Sequence, residues 1–129
     1  MPRHILIIDN EPHVCEGLKD RLESMGYAVS VAHDGRTGLA LLALATVMDP
    51  IEGVLLDVHM PVMGGIEVLR NILSEYPKVP VIMMSAGPDR RVLREAVGMG
   101  AKNYLMKPFD MAELKHMCAQ YFPRASQDE

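Results

Sequence analysis

Short apolar runs alternate along the chain with longer stretches whose apolar residues recur at helical spacing. Residues 5–8, 54–56 and 81–84 are unbroken aliphatic or thioether runs, the pattern of strands buried on both faces. Residues 29–31 and 104–106 are weaker strand candidates, suited to edges or near-edges of a sheet. Between them, Val14, Leu18, Leu22 and Met25 form one helical stripe, with Gly26 as its stop. Leu39, Leu42, Ala43 and Thr46 form a second. Ile66, Leu69, Ile72 and Leu73 form a third, opened by Gly64 and Gly65 and ended near Pro77. Pro88 suits the start of a fourth, which runs through Val92, Leu93, Ala96 and Val97 to Gly98 and Gly100. Leu114, Met117, Cys118 and Tyr121 make the fifth, ended by Pro123.

Five strand–helix units in strict alternation predict an α/β fold: a parallel sheet with helices on both faces. Right-handed crossovers leave few topologies, and the flavodoxin-like (βα)5 order 2-1-3-4-5 suits this length best. One domain over residues 1–123 and a polar tail over 124–129 account for the chain, with no linker, repeat or low-complexity segment.

Composition narrows the function classes. The chain has 129 residues, 49% of them apolar, enough for one core and too few for two ordinary domains. A net charge of −4 argues against a nucleic-acid surface. Cys15 and Cys118 have neither metal-type nor paired spacing and read as buried thiols in a reducing compartment. The N-terminus lacks the apolar core of a signal peptide, and no run is long enough to span a bilayer, so a cytoplasmic location is expected. The eleven methionines follow no regular spacing and read as packing.

In an open parallel sheet, sites form beyond the carboxyl ends of the strands, near the point where strand order reverses. Asp9, Asn10 and Glu11 follow the first strand, Asp57 the third, Ser85 the fourth and Lys107 the fifth. Taken singly, Asp9 or Asn10 fits a helix cap, Ser85 a loop hydroxyl and Lys107 a solvated side chain held before Pro108. Asp57 differs, because it ends an apolar strand and precedes a Pro-Gly loop, "VHMPVMGG", where it caps nothing. A buried carboxylate needs a compensating charge, and two of them repel unless a cation intervenes. A hard divalent ion such as Mg²⁺, with Lys107 and Ser85 on the far side, makes a place for a tetrahedral oxyanion. Asp57 could then act as a nucleophile and form an aspartyl phosphate.

The four segments "ILIIDNEP", "GVLLDVHMPVMGG", "VIMMSA" and "GAKNYLMKPF", in this order, resemble a response-regulator receiver domain of two-component signalling, similar to the chemotaxis-type single-domain regulators. The likeness covers residues 4 to 122. It implies that Asp57 accepts a phosphoryl group from a sensor histidine kinase or histidine phosphotransfer protein, with Mg²⁺ required. It further implies that Asp9, Asn10, Asp57 and the backbone carbonyl of His59 form the metal site. Ser85 corresponds to the hydroxyl that turns toward the phosphoryl group, Lys107 to its ionic partner, and Pro108 to a cis-proline. Tyr104 corresponds to the aromatic that swings inward and remodels the face built by the fourth helix, fifth strand and fifth helix; from its spacing alone Tyr104 is a half-buried strand residue. Such a protein is a signalling domain and not an enzyme acting on an external substrate.

Asn10 departs from the family pattern, which has a second acid there. An amide keeps an oxygen donor but removes one negative charge, so weaker Mg²⁺ binding is expected, with Glu11 compensating through a bound water. The side chain of His59 is expected to point to solvent at rest, and His4, His13, His33 and His116 to lie on the surface. Two other readings stand beside this one. A receiver-like interaction module with impaired metal binding would act without phosphorylation. A small haloacid-dehalogenase-like phosphatase would use Asp9-x-Glu11, but it leaves Asp57 without a role and lacks a cap insertion. No DNA-binding or catalytic segment follows Phe122, which leaves a stand-alone regulator with a downstream protein target, or one part of a longer regulator. A phosphorylation-dependent homodimer through the fourth-helix to fifth-helix face is compatible with either.

Overall fold

The computed structural model describes residues 3–45, 48–87 and 89–123. Five units alternate along the chain: β1 (His4–Ile8), α1 (Pro12–Ser24), β2 (Ala28–Ala32), α2 (Gly35–Leu44), β3 (Gly53–Asp57), α3 (Gly65–Glu75), β4 (Val81–Ser85), α4 (Arg90–Met99), β5 (Asn103–Met106) and α5 (Met111–Tyr121). All strand pairs are parallel, in the order β2-β1-β3-β4-β5, as the alternation predicted. The weaker strand candidates are the two edges, where one side of the ladder is open and a long apolar run is not required. Thr46 of the second helical stripe, Pro88 at the expected start of the fourth helix and the polar tail over 124–129 lie outside the described residues.

Alternation along each strand divides the core in two. Leu6 and Ile8 of β1, Val54 and Leu56 of β3, and Val81 and Met83 of β4 pack with α2, α3 and α4. Ile5, Ile7, Leu55, Ile82, Met84 and Leu105 point the other way, onto α1 and α5. Apart from His4 at the start of β1, the three central strands are buried along their length, which is why they read as unbroken apolar runs. Cys15 and Cys118 are buried free thiols in the second cluster, and burial pushes them up to about 11 and about 12, so both are neutral, inert packing groups.

The caps fix where the helices begin and leave Asp9 and Asn10 for other work. Asp34 and Asp110 accept hydrogen bonds from the N–H groups of Thr37 and Glu113, at 2.7 and 2.8 Å, and so cap α2 and α5. Glu11 is the N-cap of α1, with Pro12 behind it and no side-chain cap bond. Neither Asp9 nor Asn10 is therefore the cap that each could have been in isolation. Gly65 matters at the third strand: a Cβ there would lie 2.2 Å from the carbonyl oxygen of Asp57. Only a glycine lets α3 start directly against the end of β3, and that contact fixes the backbone on which Asp57 stands.

Candidate functional site

The carboxyl ends of β1, β3, β4 and β5 bring Asp9, Asp57, Ser85 and Lys107 together at one edge of the sheet. Asp9 and Ser85 are completely buried and Asp57 nearly so. Asp9 Oδ1 accepts the N–H of Glu11 at 2.9 Å, and its Oδ2 accepts from Lys107 Nζ at 2.6 Å. The same ammonium lies 3.5 Å from Asp57 Oδ1 and 3.5 Å from Glu11 Oε1. Lys107 thus reaches between the two buried carboxylates, and not to the far side of the pocket as its place after the fifth strand suggests. The reason is electrostatic: one flexible cation minimises its energy by facing both acids.

Two buried carboxylates and one ammonium still leave an excess negative charge. Its mark is on Asp57, whose carboxyl is pushed up to about 6, first by burial and then by the charge of Asp9, against the opposing pull of Lys107. Burial works against the charge on Lys107, yet the hydrogen bond to Asp9 and the charges of Asp57 and Asp9 outweigh it and hold the ammonium above its ordinary value. The lysine is firmly protonated.

The Ser85 hydroxyl is bonded to residues other than Asp57. Its hydroxyl donates to Asp89 Oδ2 at 2.5 Å and accepts the N–H of Gly87 at 3.3 Å. His59 Nε2 meets the same Asp89 oxygen at 2.6 Å, so the imidazole, largely exposed, is tied to the start of α4 and does not point free into solvent. The Ser85 bond, followed by that of His59, holds the Asp89 carboxyl below the usual carboxylate range. Asp89 is the residue the sequence reading missed. Its signal was an acid four positions after Ser85 and just before Arg90, which looks like an ordinary helix cap.

The remaining expected residues fall nearby with different degrees of engagement. Asn10 is exposed beside the pocket. Tyr104 is half-buried and packs against the α2–α4 side of the core. The Lys107–Pro108 peptide is cis. Val62, in the loop after β3, is 94% exposed and has φ 68°, the left-handed region that a β-branched residue rarely enters. His4 is a correction to the surface assignment: its ring is mostly buried, between Ser30 Oγ at 2.6 Å and Asp49 Oδ1 at 3.2 Å.

The donor set fits a hard divalent cation. Asp9 and Asp57 offer carboxylate oxygens side by side, in a pocket whose charge Lys107 only half balances. Among the described residues, no third His, Cys, Asp or Glu joins them in a ready-made cluster, consistent with an amide at Asn10 where an acid would add one.

Sheet order, crossover pattern and a carboxyl-end acidic pocket define a flavodoxin-like α/β protein with its site at the switch point. The family model for the response regulator receiver domain matches residues 5–119, and the chain belongs to that family. It is 34% identical over 129 residues to the response regulator MprA of Mycolicibacterium vanbaalenii, covering 100% of this chain and 54% of the relative. It is 38% identical over 112 residues to the transcriptional regulatory protein QseB of Haemophilus influenzae, covering 85% of this chain and 48% of the relative. The chain therefore spans about half the length of these relatives. Among solved structures, the chemotaxis protein CheY4 of Vibrio cholerae superposes with a TM-score of 0.83 at 27% identity, over 94% of this chain and 99% of that one. The signal receiver domain of an HD domain-containing protein from Pseudomonas fluorescens gives 0.86 at 28%, over 95% of each. Receiver domains are phosphoacceptor signalling domains that generally bind Mg²⁺ at the phosphorylation site and interact with histidine kinases or phosphotransfer proteins. No helix among the described residues is long and apolar enough to cross a membrane.

Proposed function

We propose that this receiver is a phosphorylation switch with Asp57 as its phosphoacceptor, the donor being a sensor histidine kinase or a histidine phosphotransfer protein. The observation that carries this reading is the excess negative charge of Asp9 and Asp57, buried together against a single ammonium. A structural ion pair would balance its charges; a pocket that must admit a cation and a phosphoryl group needs the surplus. Mg²⁺ in this pocket would be held by the Asp9 and Asp57 carboxylates, the Asn10 amide oxygen and the His59 carbonyl, and would neutralise charge on the phosphoryl oxygens.

The protein's own groups do the rest. The Asp57 carboxylate attacks phosphorus, an O–P bond forms, and the bond from phosphorus to the donor imidazole breaks, the electron pair leaving with the imidazole. Lys107, already protonated and within reach of Asp57, turns from that carboxylate to a phosphoryl oxygen without any proton moving. Ser85 leaves its present partners and turns inward as a hydrogen-bond donor. Tyr104 follows into the space and reshapes the α4–β5–α5 surface, on which a downstream protein, a further domain or a second copy of the chain would read the state. The receiver domain spans residues 1–123 in this reading, and its kinase contact places it in the cytoplasm.

Asn10 lowers Mg²⁺ affinity without abolishing binding, and Glu11, already within reach of Lys107, supplies the missing charge nearby. Incubation with Mg²⁺ and a small acyl phosphate, followed by intact mass over time, tests the reading. One phosphoryl group per chain, absent from Asp57→Asn, supports it. No uptake by the wild type, with uptake restored by Asn10→Asp, would instead identify a module that has left phosphorylation behind.

A further inference from the structure

Asp89 joins three segments of the site edge without belonging to the phosphoacceptor set. A single carboxylate oxygen holds Ser85 from the end of β4 and His59 from the loop after β3, at 2.5 and 2.6 Å. Asp89 itself is the N-cap residue of α4. Two other aspartates in the molecule, Asp34 and Asp110, occupy the same helix position with extended backbones and cap their helices through the side chain. Asp89 has φ −106° and ψ 27° and makes no side-chain cap bond. The same residue type at the same helix position has been diverted to Ser85. Gly87 permits the diversion, since a Cβ there would lie 2.9 Å from Asp89 Oδ2.

We propose that Asp89 is a positioning residue that holds Ser85 away from Asp57 in the resting receiver and becomes the N-cap of α4 once Ser85 turns inward. The proposal rests on the reading of Asp57 as phosphoacceptor. In the resting arrangement the Ser85 hydroxyl commits its one donor to Asp89 and accepts from Gly87, so turning inward requires both bonds to break. A helix leaves its opening N–H groups without intrahelical partners, so the carboxylate that Ser85 leaves can offset the lost bond by capping α4, once Asp89 takes the extended backbone that Asp34 and Asp110 show. No proton is transferred and no covalent bond changes; one hydrogen-bond partner is exchanged for another. The exchange links a phosphoryl group on Asp57 to the start of the helix that borders the expected output surface.

Two measurements test it, one of them independent of phosphorylation. In the unmodified protein, Ser85→Ala combined with His59→Ala frees the carboxylate to cap α4. Amide exchange at Arg91 or Val92 should then slow by about fivefold, the size of a typical aspartate cap, and the gain should vanish when Asp89→Ala is added. Unchanged exchange overturns the handover. In the second measurement, with Mg²⁺ and a small acyl phosphate, Asp89→Ala should accelerate phosphorylation by about tenfold, as expected for release of one charge-assisted hydrogen bond. In a Ser85→Ala background the same substitution should change the rate by less than about twofold, because Asp89 acts through that hydroxyl. Equal acceleration in both backgrounds would trace the effect to the lost negative charge and overturn the proposal. A wild type that takes no phosphoryl group defeats the phosphoacceptor reading, and the exchange measurement still decides the handover.

Discussion

The two ends of β1 carry polar groups of similar kinds, and the sheet treats them differently. At the amino end, His4 is satisfied by Ser30 and Asp49, and Arg3 pairs with Glu52 at 2.9 Å. Arg3 balances Glu52 there, and Asp49, with 75% of its side chain exposed, is solvated. At the carboxyl end, Asp9 and Asp57 are buried against one ammonium, and the loop after β3 holds Val62 in a left-handed backbone. One end is electrostatically closed. The other stores unfavourable charge and strain, as sites that must bind something commonly do.

This contrast can be broken most sharply at Lys107. Lys107→Ala leaves two buried carboxylates without a cation, and in divalent-free buffer at pH 8 it should cost about 3 kcal/mol in urea denaturation. The cost should shrink at pH 5, where one carboxyl takes up a proton. Asp57→Asn should act in the opposite direction. A folded value of about 6 against an ordinary 3.8 means that the folded state holds a proton that the unfolded chain releases. The stability tied to that proton is present below about pH 4 and is lost as pH rises through about 6. Removing the carboxylate should therefore stabilise the protein by about 2 kcal/mol at pH 7.5 and by little at pH 4, read as the pH dependence of the denaturation midpoint.

Smaller effects sharpen the comparison. Val62→Gly should gain about 0.5 kcal/mol, since relief of the left-handed strain exceeds the added flexibility of the unfolded chain. Thermal denaturation would register this as a modest rise in midpoint. At the amino end, Asp49→Ala should cost less than about 0.5 kcal/mol, because Asp49 is largely exposed and water replaces its contact with His4. A cost for Asp49→Ala comparable to that of Lys107→Ala would erase the distinction between the two ends.

Periodicity and topology made most of the site legible in advance. A parallel sheet buries its central strands on both faces, so β1, β3 and β4 announce themselves as apolar runs, and the residue that follows each run must lie at the site edge. Asp9, Asp57, Ser85 and Lys107 could be gathered there by counting alone. Their partners could not. Lys107 chooses between solvent and two carboxylates by a field that exists only after folding. Ser85 and His59 converge on Asp89 because a strand end, a loop and a helix start meet in space, and an acid before a helix ordinarily signals a cap. Nothing about a valine announces the left-handed backbone of Val62; that conformation is imposed by a loop pinned between Asp57 and Gly65.

The central claim is that the surplus buried charge at the carboxyl end serves to bind a divalent cation beside the phosphoacceptor. Calorimetric titration of the unphosphorylated protein with Mg²⁺ at pH 7.5 tests it most directly. The account predicts one ion per chain, binding lost in Asp57→Asn, tightened in Asn10→Asp and unaltered in Asp49→Ala. Mg²⁺ binding that survives Asp57→Asn unchanged, or that is absent from both the wild type and Asn10→Asp, would contradict it.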